Sequence, residues 1–370
     1  MNHWVKTRNF PGAVMLVYKK NKLVVDASWG ETFYGSRKRP GSKESMYDLA
    51  SITKSVSTAL CIMHLVDQGK VSLGDSLHKH VRATKGWPLG NLTIARLLAH
   101  KTSLPPYYFS NYWLLSKSLW NESTFPNLAS AGFPDPYRGR FIPKGFRKSM
   151  LEDICQLPFQ GGNKTRYSDL DYILLGCVIE DVTGLRQDQY LEEWLLRPMG
   201  LKNLMYNPLV HGIDMKRVIP TSDKAGSTGW VNDEEAAKLA GVCGAAGLFS
   251  NAQDLMTIGR MLQQKGSWNG KSYLKPATIK KFAWQVLPGF AWGQGFQKPP
   301  QQRATKSIAP SKASKTAFGH SGFTGTLFWV DPGKDLVVVF LSNCVYPNAF
   351  ASNFKKNAGY KSVLKMVYDL

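Results

Sequence analysis

The chain is short of acidic residues and of long apolar runs, and its cysteines do not pair in sequence. Against 47 Lys and Arg stand 26 Asp and Glu, a formal charge of +21 over 370 residues. That excess favours anionic surroundings such as envelope polymers, acidic lipid headgroups or nucleic acid, but it speaks to association rather than to fold. No basic run interleaved with aromatics resembles a nucleic-acid module, so the charge reads as a generally basic surface with no nucleic-acid partner. No apolar run is long enough to span a bilayer, so no transmembrane segment is expected. The N-terminus, Met-Asn-His-Trp-Val-Lys-Thr-Arg, lacks the apolar stretch of a signal peptide, so either the protein stays inside the cell or a leader is absent from this chain. Cys61, Cys155, Cys177, Cys243 and Cys344 are odd in number and widely spaced. They suggest neither a disulfide framework nor a zinc site, and Cys61 and Cys177 sit in apolar helical patterns as small core residues. No metal and no cofactor is expected.

What remains is a length and a hydrophobic fraction of 43% suited to one large domain with an insertion, or to two domains sharing an interface. Residues 13–18 and 23–27 are β-prone runs around Lys-Lys-Asn-Lys, a hairpin pattern. From Ser51 to about Gln68 the residues Val56, Leu60, Met63 and Val66 recur at helical spacing before Gly69. Further helices are expected over 93–100, 170–182, 187–196, 253–264 and 350–369. Two strands near 325–331 and 336–342 flank the turn Asp331-Pro332-Gly333-Lys334. Residues 105–145 read as irregular, and 299–315 as a polar, proline-containing loop. Its place just before His320 suggests a lid over a cleft.

Within this frame Ser51 and Lys54 stand three residues apart at a helix start. A serine hydroxyl becomes a nucleophile when a neighbour takes its proton, and positions i and i+3 share a helix face. A lysine serves as that base only if its pKa is lowered. The same pair also suits a helix N-cap followed by a solvated lysine. Tyr167-Ser168-Asp169 likewise fits an aromatic at a helix entrance with Ser168 or Asp169 as cap. His320 fits an ordinary partly buried histidine.

Taken in order, Ser51-Ile-Thr-Lys54, Tyr167-Ser-Asp169 and His320-Ser-Gly322 resemble the motifs of the serine β-lactamase and penicillin-binding protein superfamily. The tyrosine and histidine resemble its class C β-lactamase branch, which includes esterases and D-amino-acid peptidases. Leu73-Gly-Asp-Ser-Leu77, Leu92–His100, Gly244–Ser250 and Gly319–Thr326 support the likeness, which runs from about Pro11 to the C-terminus. It implies an α+β, β-lactamase/transpeptidase-like fold, an antiparallel sheet flanked by helices. Residues 1–75 and 235–370 would form a discontinuous α/β domain, 76–234 an inserted mainly helical one, with the active site at their junction. It also implies that the chain begins partway through the family's first helix.

By the same resemblance Ser51 would form an acyl-enzyme while Lys54 and Tyr167 share the proton work, the lysine's charge bringing the tyrosine's pKa down from about 10 toward the operating range. The backbone N–H groups of Ser51 and Phe323 would form the oxyanion hole. Asp169, His320, Ser321 and Gly322 would contact substrate, His320 by binding a carboxylate or orienting the Tyr167 hydroxyl, and Gly322 by letting substrate lie along the strand edge. Asp169 stands where many relatives have asparagine, Ser103 and Asn232 replace glycine and histidine, and Gly244-Ala-Ala-Gly247 lacks a histidine often found there. The expected activity is a serine hydrolase acting on a cell-wall-type D-amino-acid peptide, DD-peptidase-like, or on an ester. Alternatives are a small-ester carboxylesterase, a weak class C-like β-lactamase, and an inert peptidoglycan-binding protein. The expected partner is a small-molecule or peptide substrate, a peptidoglycan-derived one among the alternatives, with an anionic envelope polymer also open. The resemblance implies a periplasmic or extracytoplasmic location, with the cytoplasm left open.

Overall fold

The apolar runs at the two ends of the chain meet in one sheet. A computed structural model describes all residues except 37, 108–134, 138–139, 143–145, 160–164, 224–225, 286–291, 301–306, 350–351 and 357. The irregular reading of 105–145 and the lid suggested for 299–315 therefore fall largely or partly outside the described residues. Strands β1 (Gly12–Lys19) and β2 (Lys22–Gly30) form the expected hairpin, turned by Lys20 and Asn21 at φ +48 and +62. Both central residues in the left-handed region match the twist of the strands they join. Strands β3 (Tyr47–Asp48), β4 (Leu204–Tyr206) and β5 (Leu248–Ser250) form a small sheet in the order β3-β5-β4. Strands β6 (Phe318–Gly322), β7 (Thr326–Asp331) and β8 (Leu336–Ser342) complete the main sheet, whose order is β6-β7-β8-β1-β2 and whose pairs are all antiparallel.

Its inner strands are buried on both faces, which is why β1 and β8 read as continuous apolar runs rather than as alternation, while the edge strand β2 is largely exposed. Val14, Leu16, Val337, Val339 and Leu341 share one core, while Ala13, Met15, Val17, Val338 and Phe340 share the other. The helices expected over 51–68, 93–100, 170–182 and 253–264 are present, the one expected over 350–369 is found as Asn353–Lys356 and Gly359–Asp369, and one over Phe146–Gln156 was not expected. Lys54–Ala59 is a π-helical turn leading into α1 (Leu60–Asp67), and α2 (Ile94–Leu98), α3 (Phe146–Gln156) and α4 (Asp169–Thr183) follow. Helix α5 (Ala252–Gln263) covers the first face with Leu255, Ile258 and Leu262, and α6 (Gly359–Asp369) covers the second with Val363, Leu364 and Val367. Gly259 sets how closely α5 approaches, because a Cβ there would stand 2.5 Å from Val337 Cγ1. Near the N-terminus, Trp4 packs edge-on against Phe10 and Phe354 on the α6 side.

The sheet and the helices between its terminal strands meet at Ser51. Thr324 Oγ1 donates to Asp48 O at 2.7 Å and Thr326 Oγ1 to Leu49 O at 3.1 Å, tying β6–β7 to the turn before the serine. On the other side Leu248 N donates to Thr53 Oγ1 at 3.1 Å, and Thr58 Oγ1 to Gly244 O at 2.7 Å. No helix among the described residues is long and apolar enough to cross a membrane.

Candidate active site

Ser51 follows a backbone forced into an uncommon shape. Ala50 lies at φ +46, a conformation that costs a non-glycine residue energy and that surrounding bonds must hold. Asp48 supplies them: its Oδ1 accepts the Ala50 N–H at 2.8 Å, and its Oδ2 accepts the Asn232 N–H at 2.7 Å. Burial raises the Asp48 pKa to about 6, with those two N–H groups pulling the other way. Ser51 itself is partly exposed, while Lys54 below it is wholly buried.

Lys54 Nζ donates to Ser51 Oγ at 3.0 Å and to Ala245 O at 2.8 Å, and it lies 2.6 Å from Asp169 Oδ1. Two of the ammonium's three protons thus have Ser51 Oγ and Ala245 O as acceptors, and the Asp169 carboxylate stands beside it as an ion pair. Burial pulls the Lys54 pKa down, but Asp169 and Tyr167 outweigh it and hold the group well above the ordinary lysine value. The lowered lysine pKa that a free amine base requires is therefore absent in the resting site. The carbonyl of Ala245 reaches Lys54 because Gly244 can lie against α4: a Cβ there would sit 1.9 Å from Tyr172 O.

Tyr167 precedes α4 and donates its hydroxyl to Ser51 Oγ at 2.8 Å. Its ring also faces the lysine, with Nζ 5.1 Å from the centroid. The expectation that Lys54 brings the tyrosine toward neutral pH is corrected here. Burial is the largest influence and raises the pKa; Lys54 lowers it, Asp169 raises it again, and the result is about 12. The resting residue is a neutral phenol.

The third motif lies on β6, the edge strand of the main sheet. His320 is buried at 1% exposure, and its Nδ1–H donates to Ser321 O at 2.8 Å. Burial and then the charge on Lys54 bring its pKa to about 3, so near neutral pH it carries no charge to offer a substrate carboxylate. Its ring centroid is 6.3 Å from that of Tyr167, with Trp292 between 4.9 and 5.5 Å of His100 and Tyr167. Gly322 has a different physical reason from the one expected: a Cβ would stand 2.2 Å from Thr326 Oγ1 and 2.3 Å from Leu49 O. It lets β6 close onto the serine turn. Beyond Gln297, which pairs with Gly319, the strand continues past the partly exposed Ser321. Phe323 is 52% exposed, with Lys355 Nζ 3.0 Å from its ring centroid. The N–H groups of Ser51 and Phe323 take no part in the turns beside them, which are closed by Ile52 N to Leu49 O and Gly325 N to Gly322 O.

Ser51, Lys54, Tyr167 and Asp169 are thus brought into direct contact, with His320 behind Tyr167 and Ser321, Gly322 and Phe323 at the strand end. Sequence reasoning passed over Asp48, the Ala245 carbonyl, Trp292, His100 and Asp171. The segments Leu92–His100 and Gly244–Ser250 supported the family likeness without marking which of their groups face the site, and Asp48 carries no signal of its own in the sequence.

The Beta-lactamase family description matches residues 2–358. An N-acetylmuramyl-L-alanine amidase of Bacillus subtilis (strain 168) is 28% identical over 400 residues, covering 97% of this chain and 85% of that protein. A putative D-alanyl-D-alanine carboxypeptidase of Escherichia coli (strain K12) is 28% identical over 410 residues, covering 100% of this chain and 89% of its own. Among solved structures, EstCE1, described as a hydrolase with promiscuous acyltransferase activity, superimposes with a TM-score of 0.71 at 19% identity, over 98% of this chain and 95% of that one. With a family match running through all three motifs and the third of them on the edge strand of the antiparallel sheet, the chain belongs to the beta-lactamase family.

Proposed function

We propose that the protein is a serine hydrolase that works through an acyl-enzyme on Ser51, acting on an ester or on a D-amino-acid peptide of cell-wall type. The observation that carries this reading is the position of Ser51 Oγ, within hydrogen-bond reach of both Lys54 Nζ at 3.0 Å and Tyr167 Oη at 2.8 Å. In the reactive form the Tyr167 phenol has first lost its proton to solvent, leaving a phenolate that the Lys54 ammonium stabilises; Ser51 Oγ then attacks the carbonyl carbon as its proton passes to that phenolate oxygen. The phenol then returns the proton to the leaving group, and a water attacks the acyl-enzyme by the reverse route. The N–H groups of Ser51 and Phe323 receive the negative charge of the tetrahedral intermediate.

Two features favour an ester over an amide with a free carboxylate. Asp169 is an acceptor only, so it cannot donate to an amide carbonyl as an asparagine could, and it is engaged by Lys54 at 2.6 Å. His320 is neutral. The names of the amidase and carboxypeptidase relatives support a peptidoglycan-derived substrate and an extracytoplasmic location instead. The discontinuous division into 1–75 with 235–370 and an inserted 76–234 belongs to the same proposal, with substrate entering where they meet.

Steady-state hydrolysis of an activated short-chain ester and of a peptide ending in D-Ala-D-Ala tests the reading. The expected result is ester turnover lost in Ser51→Ala, and reduced by about 10²–10⁴ in Tyr167→Phe, with unchanged circular dichroism. Turnover that survives Ser51→Ala would overturn it.

A further inference from the structure

A buried hydrogen-bonded chain of Thr102, Asp171 and His100 stands directly behind Tyr167, and the chemistry above makes no use of it. His100 closes α2 at φ +54 with a wholly buried side chain. Its ring centroid lies 4.6 Å from that of Tyr167, 5.1 Å from Tyr172 and 4.9 Å from Trp292. The segment that begins at His100 also grips the backbone on both sides of the tyrosine. Arg166 N donates to His100 O at 3.0 Å, Ser168 N to His100 Nδ1 at 3.3 Å, Ser168 Oγ to Pro105 O at 2.6 Å and Asp169 N to Pro106 O at 2.9 Å.

The proton positions in this chain follow from donor counting. Leu104 N donates to Thr102 Oγ1 at 3.3 Å, leaving the Thr102 hydroxyl proton for Asp171 Oδ1 at 2.6 Å. The other oxygen, Oδ2, is 2.9 Å from His100 Nδ1. That nitrogen already faces the Ser168 N–H, whose proton the backbone fixes. A proton on Nδ1 would set two donors against each other, whereas a bare Nδ1 offers one lone pair, taken by a proton on Asp171 Oδ2 at 2.9 Å with the Ser168 N–H at 3.3 Å sharing it as the weaker arm of a three-centre bond. Charge points the same way. Both side chains are at 0% exposure, and the groups acting on them are Lys54, Asp169, Tyr167, Tyr172, His320 and Thr102. Lys54 is the cation among these, and Asp169 already neutralises it at 2.6 Å. An ionised Asp171 would be a second carboxylate in a dry site, an arrangement that protonation avoids.

We propose that Asp171 is a positioning residue held as a neutral carboxylic acid, donating to His100 Nδ1 so that the imidazole, fixed as its Nε2–H tautomer, sets the ring of Tyr167 against Ser51. Its Nε2–H, which has no hydrogen-bond partner among the described residues, lies in a setting of three aromatic rings whose faces accept weakly. The kinetic half of the test rests on the acyl-enzyme reading, and the spectroscopic half does not.

Asp171→Asn keeps both bonds, since its amide oxygen accepts from Thr102 and its N–H donates to Nδ1, while Asp171→Leu removes both at similar volume. The infrared difference spectrum of wild type minus Asp171→Asn at neutral pH should show a protonated-carboxyl C=O band. Ester hydrolysis by Asp171→Asn should stay within a few-fold of wild type, and Asp171→Leu should lose about a hundredfold in kcat with KM little changed. A carboxylate band in the difference spectrum, or an Asp171→Asn as impaired as Asp171→Leu, overturns the proposal. If Asp171→Leu does not fold, the infrared spectrum and Asp171→Asn still decide. If wild type turns over no ester, the acyl-enzyme reading fails while the infrared result still judges Asp171.

Discussion

At the scale of single residues, the site is governed by which carboxylate is charged. Asp169 holds Lys54 as an ammonium and raises the pKa of Tyr167, so it works against formation of the phenolate proposed to take the Ser51 proton. Replacing it with an amide removes that opposition. We expect Asp169→Asn to move the rising alkaline limb of kcat/KM for an activated ester to lower pH, measured in a pH series against wild type. An unmoved or alkaline-shifted limb would detach Asp169 from the proton chemistry. The three motif residues were legible because each carries its chemistry within a few positions. The Ala245 carbonyl was not, since a backbone group 191 residues from Lys54 leaves no mark in composition or spacing. The direction of the Tyr167 shift was missed for a related reason: the cation's influence can be read from Lys54's presence, whereas burial and the opposing Asp169 charge are properties of the folded site.

At the scale of elements, most long periodic segments were readable, while α3, with only Met150, Leu151, Ile154 and Cys155 buried, and the short ones were not. The hairpin and the two C-terminal strands appeared as apolar runs around turn residues, and α4 as an apolar stretch closed by Gly184 in the left-handed conformation. Strand β3 has two residues and carries no pattern, although it delivers the nucleophile. The apolar periodicity over 51–68 showed a helix but not that its first part, Lys54–Ala59, is a π turn. Packing between elements gives two predictions. Gly259→Ala on α5 drives a methyl into Val337 and Phe328 of the main sheet and should cost about 1–3 kcal/mol in denaturant unfolding. Lys298 is buried, its Nζ donating to the Ala283 carbonyl, and burial lowers its pKa to about 7 despite the opposing pull of Asp331. The unfolded state therefore binds a proton that the native state lacks between about pH 10 and 7, so stability falls as pH drops through that window. Lys298→Met should gain Tm relative to wild type progressively from about pH 10 to 7. A pH-independent difference would contradict the assignment.

At the scale of the molecule, the chain's two ends build one sheet whose inner strands are buried on both faces, and the serine sits where that sheet meets the helices between. The net charge of +21 belongs to this scale as well, because a basic surface attracts polyanions over distances that salt screens. Retention on an anionic polymer support should fall steeply as salt is raised while ester turnover changes little; salt-independent retention would remove charge as its cause. The central claim is the acyl-enzyme on Ser51, and intact-mass analysis after incubation with a penicillin and with an activated ester tests it most directly. The account predicts a covalent mass increase of one acyl group, from either reagent, mapped to the peptide containing Ser51 and absent in Ser51→Ala. An adduct that persists in Ser51→Ala, or neither adduct nor turnover in the wild-type protein, would contradict it.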